Sequence, residues 1–185
     1  MPKNKILVLV GSTSDLPFAY RVEGFLRESR LPVICEYKIS SAHRNIEKLL
    51  SDLKSYEQSE DKIVYITMAG LSDALSGVVA GISKNPVIAC PPDLEKHGLA
   101  KAFSSMMMPQ GIAVSLVSTP ENAAFAAVKI LSLADPSLRT VVGEYLDRMR
   151  NTVTKADAEL RRKEEHERER EHVERIEHLE HTGET

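Results

Sequence analysis

Lys5-Ile6-Leu7-Val8-Leu9-Val10, followed at once by Gly11-Ser12-Thr13-Ser14-Asp15 and then Pro17, is the stretch whose reading decides the fold. The run is too short for a helix and almost unbroken in its apolar character. That is how a strand reads when both of its faces are covered, as in a parallel sheet. Gly11 ends the run, and Pro17 suits the first turn of a following helix, where a missing N–H costs nothing.

The same alternation recurs along the chain. Strands are predicted at Lys5–Val10, Pro32–Lys38, Lys62–Thr67, Pro86–Cys90 and Ile112–Val117. Helices are predicted at Pro17–Ser29, Asn45–Gln58, Asp73–Ser83, Leu99–Met107 and Pro120–Ala134. Strand–helix alternation with right-handed crossovers gives an α/β fold, a parallel sheet with helices on both faces. The helix from Pro120 carries Ala123, Ala124, Ala126 and Ala127, which suits either a core helix or a subunit contact.

A last helical region starts near Pro136 and runs to about Leu179, and it divides in two. Leu138, Val141, Val142, Tyr145, Leu146 and Met149 keep an apolar face, so the main domain is taken as 1–150, including the start of this helix. Residues 151–185 form a charged helical or frayed tail. Positions 155–181 hold 7 Lys/Arg and 10 Asp/Glu, leaving 17 of each elsewhere, so the tail carries the whole net charge of −3. Glu164–Arg168 and Glu171–Arg175 stand at i,i+4, each worth a few tenths of a kcal/mol. Val173, Ile176 and Leu179 are too few for a coiled coil.

Composition narrows the functional classes. A slightly acidic chain lacks the basic face that nucleic acid requires. No run reaches the roughly 18 apolar residues of a membrane span. The first residues pass straight into a strand with no signal-peptide pattern, and Cys35 and Cys90 read as buried reduced thiols, so a cytoplasmic protein is expected.

In open α/β sheets ligands bind beyond the carboxyl ends of the strands, and polar, glycine-punctuated segments accumulate there. The first loop offers Gly11, Ser12, Ser14 and Asp15 at a helix start, a pattern that suits a phosphate, with Asp15 available to ribose hydroxyls. Helix capping by Ser14 or Asp15 explains the same residues. The second loop, Ser40 to Asn45, contains His43, whose imidazole titrates near neutrality, and Arg44, which grips phosphates bidentately. A surface histidine at a helix start is the plainer alternative. The third loop, Gly70 to Gly77, supplies backbone N–H groups and Ser72 to close over a planar ring. Met106-Met107-Met108-Pro109 offers an apolar wall or simply fills core. His97 falls in a charged loop, and His166, His172, His178 and His181 in the tail. No metal-ligand spacing emerges among them.

GSTSD at 11–15, SAHRN at 41–45, AGLSDALSG at 69–77, CPPD at 90–93, MPQGI at 108–112 and PENAAFAAVKIL at 120–131 together resemble the aminoimidazole ribonucleotide (AIR) carboxylase/mutase family of purine synthesis. The resemblance covers about residues 5 to 150 and implies a flavodoxin-like three-layer α/β/α fold assembled as a homo-octamer. It implies phosphate binding by Ser12, Ser41 and Arg44, ribose binding by Asp15, and a base lined by Gly70 and Ser72. His43 takes the place of the family's proton-transferring histidine. Gly11, Ser14, Ala42, Ala74, Leu75, Met108 and Pro109 are expected as further lining. No cofactor and no metal are expected, and the partners implied are a small-molecule ribonucleotide and carbon dioxide. The mutase branch carries a histidine where Ala74 stands in Ala74-Leu75-Ser76-Gly77, so the resemblance favours direct carboxylation, with the mutase as the other reading. A flavodoxin-type electron carrier and a non-catalytic nucleotide-binding module share the expected fold.

Overall fold

The computed structural model describes residues 2–182, with side chains through Arg175. Five strands form one wholly parallel sheet in the order β2-β1-β3-β4-β5. They are β1 (Asn4–Val10), β2 (Ile34–Ile39), β3 (Lys62–Met68), β4 (Val87–Ala89) and β5 (Ser115–Leu116). The helices are α1 (Leu16–Ala19), α2 (Arg21–Glu28), α3 (Ile46–Glu57), α4 (Ala74–Ile82), α5 (Leu94–Met106), α6 (Pro120–Ser132) and α7 (Pro136–Thr182). This is the flavodoxin-like order, whose direction of winding reverses between β1 and β3.

Every residue of Ile6–Val10 is fully buried. Period-2 alternation divides them between two helical layers. Leu7 and Leu9 join Leu49 and Leu53 of α3, Leu75 and Val79 of α4, and Tyr65 in one core cluster. On the other side α6 packs against α2 and against β1, β3 and β4, with Phe25 and Phe125 edge to face at 6.2 Å. Ala123, Ala124 and Ala127 are 0% exposed there, which makes α6 a core helix of this chain. Each large aliphatic side chain so buried contributes about 1.5–3 kcal/mol.

Helix starts follow from local chemistry. Asn45 Oδ1 accepts from the Lys48 N–H at 3.0 Å, Asp73 Oδ1 from Ser76 at 3.1 Å, and Asp135 Oδ1 from Leu138 at 3.0 Å. Each satisfies one of the unpaired N–H groups of a first turn.

Three predicted elements differ in the structure. The helix expected over Pro17–Ser29 is preceded by a 3₁₀ turn at Thr13–Asp15 and split at Tyr20 into α1 and α2. The strand expected over Ile112–Val117 shrinks to two residues. Gly111 takes φ +90° and the Ile112 N–H bonds to the Pro109 carbonyl, which turns the chain away from the sheet until Ser115. The segment Leu94–His97 is helical, joined to the rest of α5 across a kink where Gly98 takes φ +55° and ψ −135°.

The chain forms two compact units, Met1–Val142 and Gly143–Thr185. Leu138 and Val142, at the start of α7, are buried within the first. In the second, the described side chains beyond Leu146 are solvent-exposed, and Glu164–Arg168 and Asp157–Arg161 pair at 3.7 and 3.0 Å. The side chains of Ile176, His178, Leu179 and His181 lie outside the described residues. Among the described residues no helix is long and apolar enough to cross a membrane, and no group of three or more His, Cys, Asp or Glu is placed to hold a metal ion.

Candidate active site

The loops that follow β1, β2, β3 and β4 converge on one cavity of about 490 Å³, a volume within the range of small-ligand sites. It lies at the β1/β3 reversal of winding. Gly11, Ser12, Ser14 and Asp15 come from the first loop, and Ser41, Ala42, His43 and Arg44 from the second. Ala69, Gly70, Leu71, Ser72 and Leu75 come from the third, and Asp93, Lys96 and His97 from the fourth.

In the first loop the cap is Ser12, whose Oγ accepts from the Ser14 N–H and the Ser14 hydroxyl at 3.4 and 3.0 Å. With its lone pairs used, the Ser12 O–H is left to donate into the cavity. Asp15 occupies the N-cap position of α1 but makes no capping bond. Its carboxylate instead lies 3.4 Å from the Ser14 hydroxyl and beside Gly70 in the cavity wall. Burial raises its pKa above the usual aspartate value, and the nearby Asp93 charge raises it further. Hydrogen bonds from Ser14 and Gly70 and the Lys101 charge pull the other way. Capping therefore does not account for Asp15.

In the second loop Ser41 Oγ accepts from the Arg44 N–H at 3.2 Å, and the Ser41 carbonyl accepts from Asn45. This turn leaves the His43 and Arg44 side chains exposed at the cavity lip. Neither forms an ion pair among the described residues, so both are free to meet a ligand.

The third loop has an unusual backbone. Leu71 takes φ +56°, a left-handed conformation uncommon outside glycine. Its N–H donates to Asp93 Oδ2 at 2.7 Å, and its carbonyl accepts from Lys101 Nζ at 2.6 Å. Gly70 beside it lies between two carboxylates. A Cβ there would stand 3.5 Å from Asp93 Oδ2 and 4.0 Å from Asp15 Oδ1.

Three expected lining residues do not reach the cavity. Ala74 opens α4 and is only half-buried outside it. Met108 lies against α4 instead, its Sδ 3.1 Å from where a Gly77 Cβ would be, and Pro109 is exposed in the turn that accepts from Ile112. Conversely, Asp93, Lys96 and His97 line the cavity without being among the expected residues, and Lys101 lies buried beneath the third loop. His97 Nε2 sits 3.7 Å from Asp93 Oδ2, one helical turn on. The position of Asp93 just beyond the fourth strand is the one signal in the sequence that pointed to this group.

A flavodoxin-like sheet with a polar, cation-rimmed cavity at its topological switch point defines the class: an α/β protein with a small-ligand-sized cavity at its strand ends. Comparison with known proteins narrows it. The family model described as AIR carboxylase matches residues 5–152. Phosphoribosylaminoimidazole carboxylase of Archaeoglobus fulgidus is 40% identical over 85% of this chain and 85% of its own length. N5-carboxyaminoimidazole ribonucleotide mutase of Methanocaldococcus jannaschii is 36% identical over 84% of this chain and 97% of its own. The crystal structure of Treponema denticola PurE superposes with a TM-score of 0.79 at 36% identity, covering 85% of this chain and 99% of that one. The chain belongs to the AIR carboxylase family.

Proposed function

We propose that this enzyme of purine biosynthesis joins carbon dioxide to carbon 4 of AIR, reversibly and without ATP, with His43 moving the proton. The observation that carries the reading is the convergence of His43, Arg44, Ser12, Ser41 and Asp15 on one cavity from two separate loops, with Gly70 and Ser72 joining them from a third. Arg44 and the free hydroxyls of Ser12 and Ser41 suit a 5′-phosphate, and the Asp15 carboxylate suits ribose hydroxyls. Gly70, Ser72 and Leu75 then face the five-membered ring.

Carbon 4 of the aminoimidazole is already nucleophilic, so the protein supplies position more than activation. Carbon–carbon bond formation leaves carbon 4 tetrahedral with an extra proton. His43 takes that proton to restore the aromatic ring, and returns it in the reverse decarboxylation. An imidazole can both accept and donate a proton, so the same side chain serves both directions.

Moving a carboxyl group from the exocyclic nitrogen to carbon 4 is the second reading, favoured by the mutase among the relatives. Ala74 supplies no second imidazole, and it stands outside the cavity, which supports direct carboxylation. The assembly is read as a homo-octamer in the cytoplasm. Leu99, Phe103, Met106 and Met107, each at least half exposed on α5 and its end, are an apolar surface that assembly would cover. The deciding experiment offers purified protein AIR with bicarbonate and carbon dioxide, and separately the N-carboxylated ribonucleotide, without ATP. Consumption of the first is expected. Consumption of the second alone makes the enzyme a mutase, and consumption of neither overturns the catalytic reading.

A further inference from the structure

Lys101 is the least exposed charged side chain around the cavity, with 1% of its side-chain surface accessible. It belongs to the half of α5 that follows the Gly98 kink, and it reaches under the third loop. Its ammonium donates to the carbonyls of Ala69 and Leu71, both at 2.6 Å, and stands 3.8 Å from Asp93 Oδ1. That oxygen is buried and has no hydrogen-bond partner. Burying an ammonium is costly unless it is paired and hydrogen-bonded, and here carbonyls and a carboxylate share the compensation.

Two neighbours on the same helix face extend the contact. Ser104 Oγ accepts from the Asp73 N–H at 2.8 Å, and Ser105 Oγ donates to Asp73 Oδ2 at 2.7 Å. Positions 101, 104 and 105 therefore form one polar, inward stripe at i, i+3, i+4 spacing. Those serines would suffice to fasten the start of α4. Lys101 adds what they lack, a positive charge beneath Gly70, where the cavity brings two carboxylates together.

We propose that Lys101 is a positioning residue for the reaction: with Asp93 it clamps Leu71 in its left-handed conformation, and its positive charge offsets the two carboxylates, Asp15 and Asp93, that meet beside Gly70. This inference rests on the assignment of Asp15 to the ribose. A neutral donor would hold the carbonyls equally well but would leave two anions unbalanced. The charged groups that bear on Asp15 are Asp93 from the fourth loop and Lys101 from α5. Lys96 and His97 lie further along the fourth segment, and His43 and Arg44 stand across the cavity. Among these, Lys101 is the buried cation.

The test measures AIR binding by calorimetry with full-length protein over roughly pH 4 to 8, the span in which carboxyl and imidazole groups titrate. Lys101→Met should weaken affinity about tenfold and move the pH of half-maximal affinity up by about half a unit, because Asp15 ionises less readily. Asp93→Asn should move it down, because a neighbouring anion is gone while the ammonium remains. A purely structural clamp would not separate the two variants by sign. Midpoints that stay put, or move the same way, overturn the proposal. Should Lys101→Met not fold, Asp93→Asn decides alone, and an unmoved or raised midpoint sinks it. If wild-type protein binds no AIR at all, the substrate reading fails instead. The same opposite shifts are then sought in the carboxyl ¹³C titration of Asp15 without ligand, and their absence there overturns the Lys101 role.

Discussion

Ser105 donates its hydroxyl proton to Asp73 at 2.7 Å across 32 residues of sequence, tying the start of α4 to α5. Asp73 also accepts from the Ser76 N–H and hydroxyl at 3.1 and 2.6 Å and is 4% exposed. Asp73→Ala removes a helix cap and strands the buried Ser105 hydroxyl, leaving Ser76 with Thr67 alone at 2.7 Å. It should lower unfolding free energy by about 2–4 kcal/mol, read from chemical denaturation. A loss below about 0.5 kcal/mol would mean that the network is ornamental.

His43 sits at the cavity lip on a turn set by Ser41 and Asn45, so its side chain can be changed without disturbing the core. His43→Asn should cut kcat by about 10²–10⁴-fold and leave AIR affinity within a few-fold of wild type. Near-normal turnover would remove His43 from the chemistry.

Arg44 is exposed at the same lip. Arg44→Leu should weaken AIR binding by about 10–100-fold, the scale of a charge-assisted contact to a phosphate, with a smaller change in kcat. Equal affinity for AIR and for its dephosphorylated nucleoside in wild-type protein would contradict a phosphate role.

The Asp135 carboxyl accepts from the Ser137 hydroxyl, the Leu138 N–H and the Asn4 amide, and these hold its pKa down to about 2 from an ordinary 3.8. A depressed carboxyl contributes stability that is fully present above the unfolded value and is lost as pH falls through the folded one. Stability should therefore decline between about pH 4 and 2. Asp135→Asn should flatten that part of the curve, measured by thermal unfolding at stepped pH.

Burial pushes the Cys35 thiol up to about 11 and the Cys90 thiol up to about 12. Neither is then a thiolate at neutral pH. In native protein both should resist an aromatic disulfide reagent and react only on unfolding. Rapid labelling of Cys90 in folded protein would contradict its burial.

The sheet and most of the cavity were legible because their signals are local. An aliphatic run such as Ile6–Val10, ending in glycine and serines, marks both a strand and the loop beyond it. The first three loops were found in this way, and their side chains do meet. What escaped depends on distant partners. Lys101 in a helical pattern reads as a solvated residue, and only the carbonyls of Ala69 and Leu71, some thirty residues away, make it an interior one. His97 reads as part of a charged loop because the Gly98 kink hides the helical turn it belongs to. Met108 is the converse case. Its place after α5 suggested a wall of the site, but the bare surface of Gly77 draws its sulfur to the other side of α4.

The four cavity segments run from Gly11 to His97, and each hangs from a different strand. A molecule seated among them is a staple through the first half of the chain, gripping stretches that meet only once the strands are in register. Occupancy thus reports on the wholeness of the fold, and a cell replete with the ribonucleotide would keep this chain intact longer than one starved of it.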